Sequence, residues 1–228
     1  MMLRDLYYTR LGAAAVLGSV PVPAELAELP VEVLTDEEVE RLFELGKEKG
    51  VKLYRFKKTH EDLPRVRVVL GMLQGICPES LLDIGSGRGV FLFPFLETFP
   101  ECNVTSFDIL PHRVEFLRTL TRGGIHHLTA REENICNCPL EENSFDVVTM
   151  LEVLEHIPDV EGAVRNAVRA AGRHVIVSVP SKPDNNPEHI HLLTKQRLTE
   201  LFTAAGCSSL HFSGVPGHLI MVATKEGA

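Results

Sequence analysis

The 228-residue sequence has no CxxC pair, no internal repeat and no low-complexity tract. Nor does any apolar run approach the roughly 18 residues that would span a bilayer. Each absence excludes a class. Five cysteines, an odd number without paired spacing, rule out a disulfide framework and a zinc ribbon. Cys136 and Cys138 read as small thiols kept reduced in a cytoplasm rather than as metal ligands. No cysteine sits in a triad or helix-start context that would make it a nucleophile. The apolar segment from Leu11 to Val20 is not a secretory leader, because Asp5 interrupts the leading stretch, and the expected location is cytoplasmic. What remains is ordinary for one globular domain: 44% apolar residues, 24% charged, and enough length to bury a sizeable core.

The net charge of −8 hides an uneven distribution. Residues 1–45 are strongly acidic, whereas residues 47–67 carry eight bases, Lys47, Lys49, Lys52, Arg55, Lys57, Lys58, Arg65 and Arg67, against three acids. That basic stretch reads either as a solvated face or as a patch for a phosphate-bearing substrate. Residues 1–34 are poorly periodic and broken by Pro21, Pro23 and Pro30, which suggests an arm packed on the surface. Thr35 and Glu38 then form a capping box for a helix with Val39, Leu42 and Phe43 on one face, ended by Gly50. A second helix starts at Asp62 or Leu63 with Pro64 in its first turn. Strands follow near 81–84, 103–107, 126–129, 145–150, 174–179, 209–213 and 218–224, alternating with helices up to the last pair, which reads as a hairpin. The expected architecture is a Rossmann-like α/β fold. It has a seven-stranded, mainly parallel, doubly wound sheet with a C-terminal antiparallel hairpin, residues 1–61 forming an arm and helical cap and residues 62–228 the ligand-binding domain.

The most informative stretch is LLDIGSGRGVFLFPFLETFPECNVTSFDIL, residues 81–110. Leu81, Leu82 and Ile84 make a buried strand, and Gly85, Gly87 and Gly89 stand where it must turn into a helix and let a ligand approach the backbone. A second strand ends at Asp108, where a carboxylate can accept from both hydroxyls of a ribose. The dinucleotide fingerprint wants a glycine at position 90, which is Val90 here. Asp83, two residues before the glycines, would repel a pyrophosphate. It suits a ligand with an ammonium and a sulfonium and no phosphate, which is S-adenosylmethionine.

At these residues the chain resembles the class I S-adenosylmethionine-dependent methyltransferases, in particular the broad family reading EVLEHIPD after the fourth strand, over roughly residues 62–225. The resemblance implies that Asp83, Gly85, Gly87 and Gly89 lie against the methionyl part, that Asp108 holds the ribose and that Ile109 packs on adenine. Where the family often has an aspartate on the adenine amino group, this chain has Asn134, followed by Ile135; an amide oxygen can still accept that hydrogen bond.

A second constellation is Glu152, Glu155 and His156, in MLEVLEHIPD. Spacing of i, i+3 and i+4 puts them on one face of a helical turn at the ligand end of the sheet. Either they only line the pocket, or with His189 or His191 they bind octahedral Mg²⁺ or Mn²⁺. The four-residue pattern Glu152, Glu155, His156 and His189 partly resembles the small-RNA 3'-terminal ribose 2'-O-methyltransferases, whose metal grips the two terminal hydroxyls. His189 lies before Thr194 as that family's histidine lies before its own threonine, but Ile190, His191, Leu192 and Leu193 replace the family's aromatic and acidic residues.

His156 and His189 are the candidate bases, since an imidazole near pKa 6.5 can take a proton at neutral pH. The loop Ser181 to His191, rich in turn formers, reads as a mobile cover over the acceptor. The main expectation is methyl transfer to oxygen or nitrogen of a small or modest-sized acceptor, without metal and without a membrane partner. The alternatives are a metal-assisted RNA 3'-terminal methyltransferase, an NAD-dependent oxidoreductase and a non-catalytic cofactor-binding module. Oligomeric state is not legible.

Overall fold

A computed structural model describes residues 2–225. The chain runs α1 (Leu3–Leu6), α2 (Thr9–Leu17), α3 (Ala24–Ala27), α4 (Asp36–Glu48), α5 (Pro64–Ile76), β1 (Ser80–Ile84), α6 (Leu92–Thr98), β2 (Asn103–Asp108), α7 (Pro111–Arg122) and β3 (Leu128–Glu132). It continues through β4 (Phe145–Leu151), α8 (Val160–Ala170), β5 (Ala171–Pro180), α9 (Lys195–Ala204), β6 (Cys207–Val215) and β7 (His218–Lys225). The seven strands form one sheet in the order β3-β2-β1-β4-β5-β7-β6. β1 to β5 pair in parallel, while β7 runs antiparallel to both β5 and β6. The expected sheet and hairpin are therefore observed.

The parallel strands are apolar on both faces because helices cover both. Leu81, Val104, Leu128, Val147 and Ile176 point to the side of α2, α4, α5, α6 and α7. Leu82, Phe107, Val148, Met150 and Val177 point to the side of α8 and α9. Local signals fix the helix ends. The amide of Glu38 donates to Thr35 Oγ1 and the amide of Thr35 to a Glu38 carboxylate oxygen, the reciprocal cap expected for α4. β3 begins two residues later than its apolar run suggests, because Gly124 at φ +115° turns the chain back on α7.

Residues 1–34 are not confined to the surface. Leu11 to Val16 of α2 are buried, and α2 packs against α4 and α7 within the same apolar cluster as Leu81 and Val104. A β-carbon on Gly18 would stand 1.9 Å from the carbonyl of Thr119, and one on Gly123 would stand 1.8 Å from that of Ala14. Two glycines thus let α2 and α7 touch backbone to backbone. A helix apolar all round is a core helix, and the run LGAAAV carries that signal without a periodic stripe. Among the described residues no helix is long and apolar enough to cross a membrane.

Candidate active site

Strand order reverses between β1 and β4, and the carboxyl ends of the strands there part to leave a crevice. The crevice is a cavity of about 760 Å³ whose lining includes Asp83, Gly87 and Asp108 as well as Arg65, Glu152 and His156. Asp83, at the end of β1, is 3% exposed. Thr149 Oγ1 donates to its Oδ1 at 2.8 Å and Ser86 Oγ donates to its Oδ2 at 2.6 Å. Burial pushes this carboxyl up to about 6, against the opposing pull of the two hydroxyls. A buried carboxylate at a cavity wall gains most from a cation placed beside it.

That gain has a pH signature. With the folded pKa above its ordinary value, the free protein loses stability as pH rises from about 4 to about 6. A ligand ammonium that needs the ionised form gains affinity over the same window. Calorimetry should therefore show S-adenosylhomocysteine binding strengthening up to about pH 6 and levelling above it, with the rise lost in Asp83→Asn. A flat wild-type profile would remove Asp83 from the ligand's surroundings.

The three loop glycines divide by environment, though all have positive φ. A β-carbon on Gly85 would meet Val153 at 2.6 Å and one on Gly89 would meet the Phe93 ring at 2.3 Å, whereas one on Gly87 has nothing closer than 3.7 Å. Gly85 and Gly89 are dictated by the protein's own packing. Gly87 faces open cleft, where a side chain would occupy ligand space. Asp108 is 4% exposed; it accepts from the amide of Gly87 at 3.1 Å, the amide of Leu110 at 2.9 Å and the Arg113 guanidinium at 3.4 Å. Ile109 is 65% exposed at the cleft wall, an apolar surface with no protein to cover it. Asn134 also lines the cleft, its amide oxygen accepting from the Cys136 amide at 3.0 Å, so one lone pair and both N–H donors remain. Ile135 is buried, and its carbonyl is held by Asn166 of α8 at 2.7 Å. These groups fit an adenosine with an attached amino acid. Carboxylates are chemically suited to hydroxyls and an ammonium, an exposed apolar face to a base, and the open glycine leaves room for a ligand.

The second constellation departs from its expected geometry. Glu152 does not share a helical face with Glu155 and His156. It follows β4 directly with φ +58°, and the 3-10 turn begins only at Leu154. The twist carries its carboxylate to β5 and β7, where Ser178 Oγ donates to Oε1 at 2.7 Å and His218 Nδ1 to Oε2 at 2.9 Å. Glu155 and His156 do converge with His189, their ligating atoms lying within 4.8 Å of one another. Glu155 is fully buried with both carboxylate oxygens unpartnered, and burial pushes it up to about 8. His156 is exposed at the cleft, and its Nδ1 lies 2.9 Å from the carbonyl of Glu188. His189 stands behind it, ring centroids 4.8 Å apart, with Nδ1 2.8 Å from Asp184. His191 instead meets the carbonyl of Ile157.

The loop expected to cover the acceptor is tied down at its end, since the amides of Ile190 and His191 donate to the carbonyl of Glu155. Within the basic segment, Arg55 covers the Phe116 ring and Lys58 the Tyr8 ring, while Arg65 lines the cleft. Sequence reasoning missed Arg113, Ser178 and His218. Only Arg113 had a local signal, one turn into the helix that follows Asp108.

The fold and this crevice define an α/β protein with an open cavity at the switch point of a seven-stranded sheet. Residues 82–176 match the methyltransferase domain family. Over 132 residues the chain is 30% identical to ribosomal RNA small subunit methyltransferase G of Streptococcus pneumoniae, covering 53% of this chain and 56% of that protein. Over 176 residues it is 24% identical to the ubiquinone biosynthesis O-methyltransferase of Neisseria meningitidis, covering 75% and 73%. The chain thus spans little more than half the length of the first of these relatives. Its fold is that of magnesium protoporphyrin IX methyltransferase from Synechocystis PCC 6803, solved with bound S-adenosylhomocysteine, at a TM-score of 0.58, 14% identity and coverage of 71% and 82%. Residues 82–176 thus resemble a methyltransferase domain, in a fold shared with methyltransferase structures solved with bound S-adenosylmethionine or S-adenosylhomocysteine.

Proposed function

We propose that the chain moves a methyl group from S-adenosylmethionine to an oxygen or nitrogen of a small or modest-sized acceptor. The observation that carries this reading is one continuous cavity with two chemistries. Among its lining residues, Asp83 and Asp108 suit the cofactor, while Arg65, Glu152 and His156 remain for something else. In this reading Asp83, Gly85, Gly87, Gly89, Asp108, Ile109, Asn134 and Ile135 form the cofactor site. The cofactor supplies an already activated methyl group, so the protein's work is to align the acceptor and remove its proton. His156 suits the second task. A carbonyl oxygen opposite Nδ1 requires the proton there, leaving Nε2 with a free lone pair. His189 backs the ring and is itself oriented by Asp184. The five free thiols support work in a reducing compartment such as the cytoplasm.

A screen of hydroxyl and amine acceptors, read as S-adenosylhomocysteine formed, tests the reading. His156→Gln should lower turnover by about 100-fold, a typical contribution of general-base catalysis, while cofactor affinity holds. An inactive wild type that binds cofactor would leave a binding module, and binding of NADH would favour an oxidoreductase.

A second reading, metal-assisted methylation of an RNA 3'-terminal ribose, is supported by the orphaned Glu155 carboxyl beside His156 and His189. Two imidazoles and a carboxylate can hold Mn²⁺. Against it, Glu152, the fourth residue of the expected pattern, lies outside the group formed by Glu155, His156 and His189. The main reading expects activity indifferent to a chelator. In the second, Mn²⁺ restores chelated enzyme, and Glu155→Ala abolishes Mn²⁺ binding but spares S-adenosylhomocysteine. Anomalous scattering from Mn²⁺-soaked crystals separates the two.

A further inference from the structure

We propose that Glu152 is the carboxylate by which the cleft recognises an O–H or N–H donor of the acceptor, and that Ser178 and His218 are the residues that position it. The inference rests on the methyl-transfer reading and adds the chemistry that its acceptor must present. Backbone strain is the first observation. Among the described residues, three other than glycine have positive φ: Cys77, Asn143 and Glu152. Cys77 closes helix α5, and Asn143 is the residue type that tolerates this region in turns. Glu152 has neither excuse. Strain in a residue of this kind, held at a cavity wall, persists only where surrounding contacts impose it.

Those contacts are the second observation. Ser178 is fully buried, and its hydroxyl reaches Oε1 from the neighbouring strand β5. The carboxylate has no proton to give, so His218 must donate through Nδ1–H to Oε2. His218 opens β7 opposite Pro180 of β5, and the amide of Ser181 donates to Gly217 just before it. The hairpin and the first residue of the cover loop therefore hold the imidazole in place. One donor on each oxygen fixes the carboxylate plane and leaves a lone pair free on each. Glu152 lines the cavity and forms no ion pair with lysine or arginine among the described residues. Its remaining acceptors are therefore unspent at the cavity wall. An acceptor hydroxyl or amine that donates to Glu152 is pinned with its reacting atom in the cleft, close to the wall that carries His156.

The test uses the full chain with S-adenosylhomocysteine bound, and phenol, benzylamine and anisole as probes in amide-shift NMR titrations. Phenol or benzylamine should perturb residues around 152, 178 and 218, and anisole, which lacks the donor, should not. Glu152→Gln should weaken that binding by about tenfold, the worth of one charged hydrogen bond at its lower bound, without altering S-adenosylhomocysteine affinity. His218→Leu should weaken it likewise. His218→Asn, whose amide N–H stands where Nδ1–H does, should restore most of it. A merely structural His218 would depress thermal stability in both variants and leave the preference for phenol over anisole intact. Equal binding of phenol and anisole, no binding of either donor, or indifference to Glu152→Gln overturns the proposal. Failure of the wild type to bind S-adenosylhomocysteine would instead strike the methyl-transfer reading, so the two failures are distinguishable.

Discussion

The Asp108→Ala variant is expected to bind S-adenosylhomocysteine more than tenfold more weakly than the wild type. A ribose offers two hydroxyls to this carboxylate, and hydrogen bonds to a charged group are worth roughly 1.5–3 kcal/mol each. The loss of either one alone passes the 1.4 kcal/mol that makes a factor of ten. The carboxylate also accepts from the amides of Gly87 and Leu110 and from Arg113, so its removal loosens the glycine loop from the second strand as well. Asp108→Asn separates the two effects, because the amide oxygen can keep one loop contact while losing the charge. Calorimetry on both variants makes the measurement. Unchanged affinity in Asp108→Ala would put the ribose elsewhere.

Gly87→Val should abolish cofactor binding while the protein still folds. The added side chain starts in open cleft, 3.7 Å from the nearest protein atom, and fills ligand space rather than colliding with the core. The variant is not free of strain. At φ +59° a branched residue is disfavoured, by about 1–2 kcal/mol, which lowers Tm by roughly 2–8 °C for a chain of this size. The upward shift in Tm that cofactor gives the wild type should vanish. Gly89→Val is the contrast, because its β-carbon would lie inside the Phe93 ring's contact distance at 2.3 Å and should impair folding itself. A cofactor-induced shift retained in Gly87→Val would mean that the glycine serves only the turn.

The glycine loop is legible in the sequence because its signals are local. Strand, turn, helix and second strand are contiguous, and each responds to residues within a few positions of itself. Asp83 and Asp108 therefore take their places at the crevice as soon as β1 and β2 lie side by side, Asp83 opposite Ser106. Residues 1–34 were harder to read because their burial leaves no periodic stripe. Helix α2 is enclosed by α4 and α7, so no face of it needs to be polar.

The Glu152 turn misled for a related reason. The string from 152 to 156 has helical spacing, yet the amide of Glu152 is claimed by the carbonyl of Ser178, which keeps it in the sheet one residue past β4. The chain can then start only a single 3-10 turn. Glu155 and His156 still meet His189 because the loop after β5 is pinned to the Glu155 carbonyl, a contact that no local pattern announces.

By itself the sequence determined the order of strands and helices, the place of the glycine loop and the two carboxylates that flank it, since hydrophobic periodicity and turn chemistry act over short stretches of chain. Only the tertiary structure decided which way Glu152 faces, that Ser178 and His218 hold it, and that Arg113 leans on Asp108. Those contacts depend on strand register. His218 comes from 66 positions beyond Glu152, and it reaches that carboxylate because β7 inserts antiparallel beside β5, a pairing chosen by the burial of the whole sheet and not by the residues that meet there.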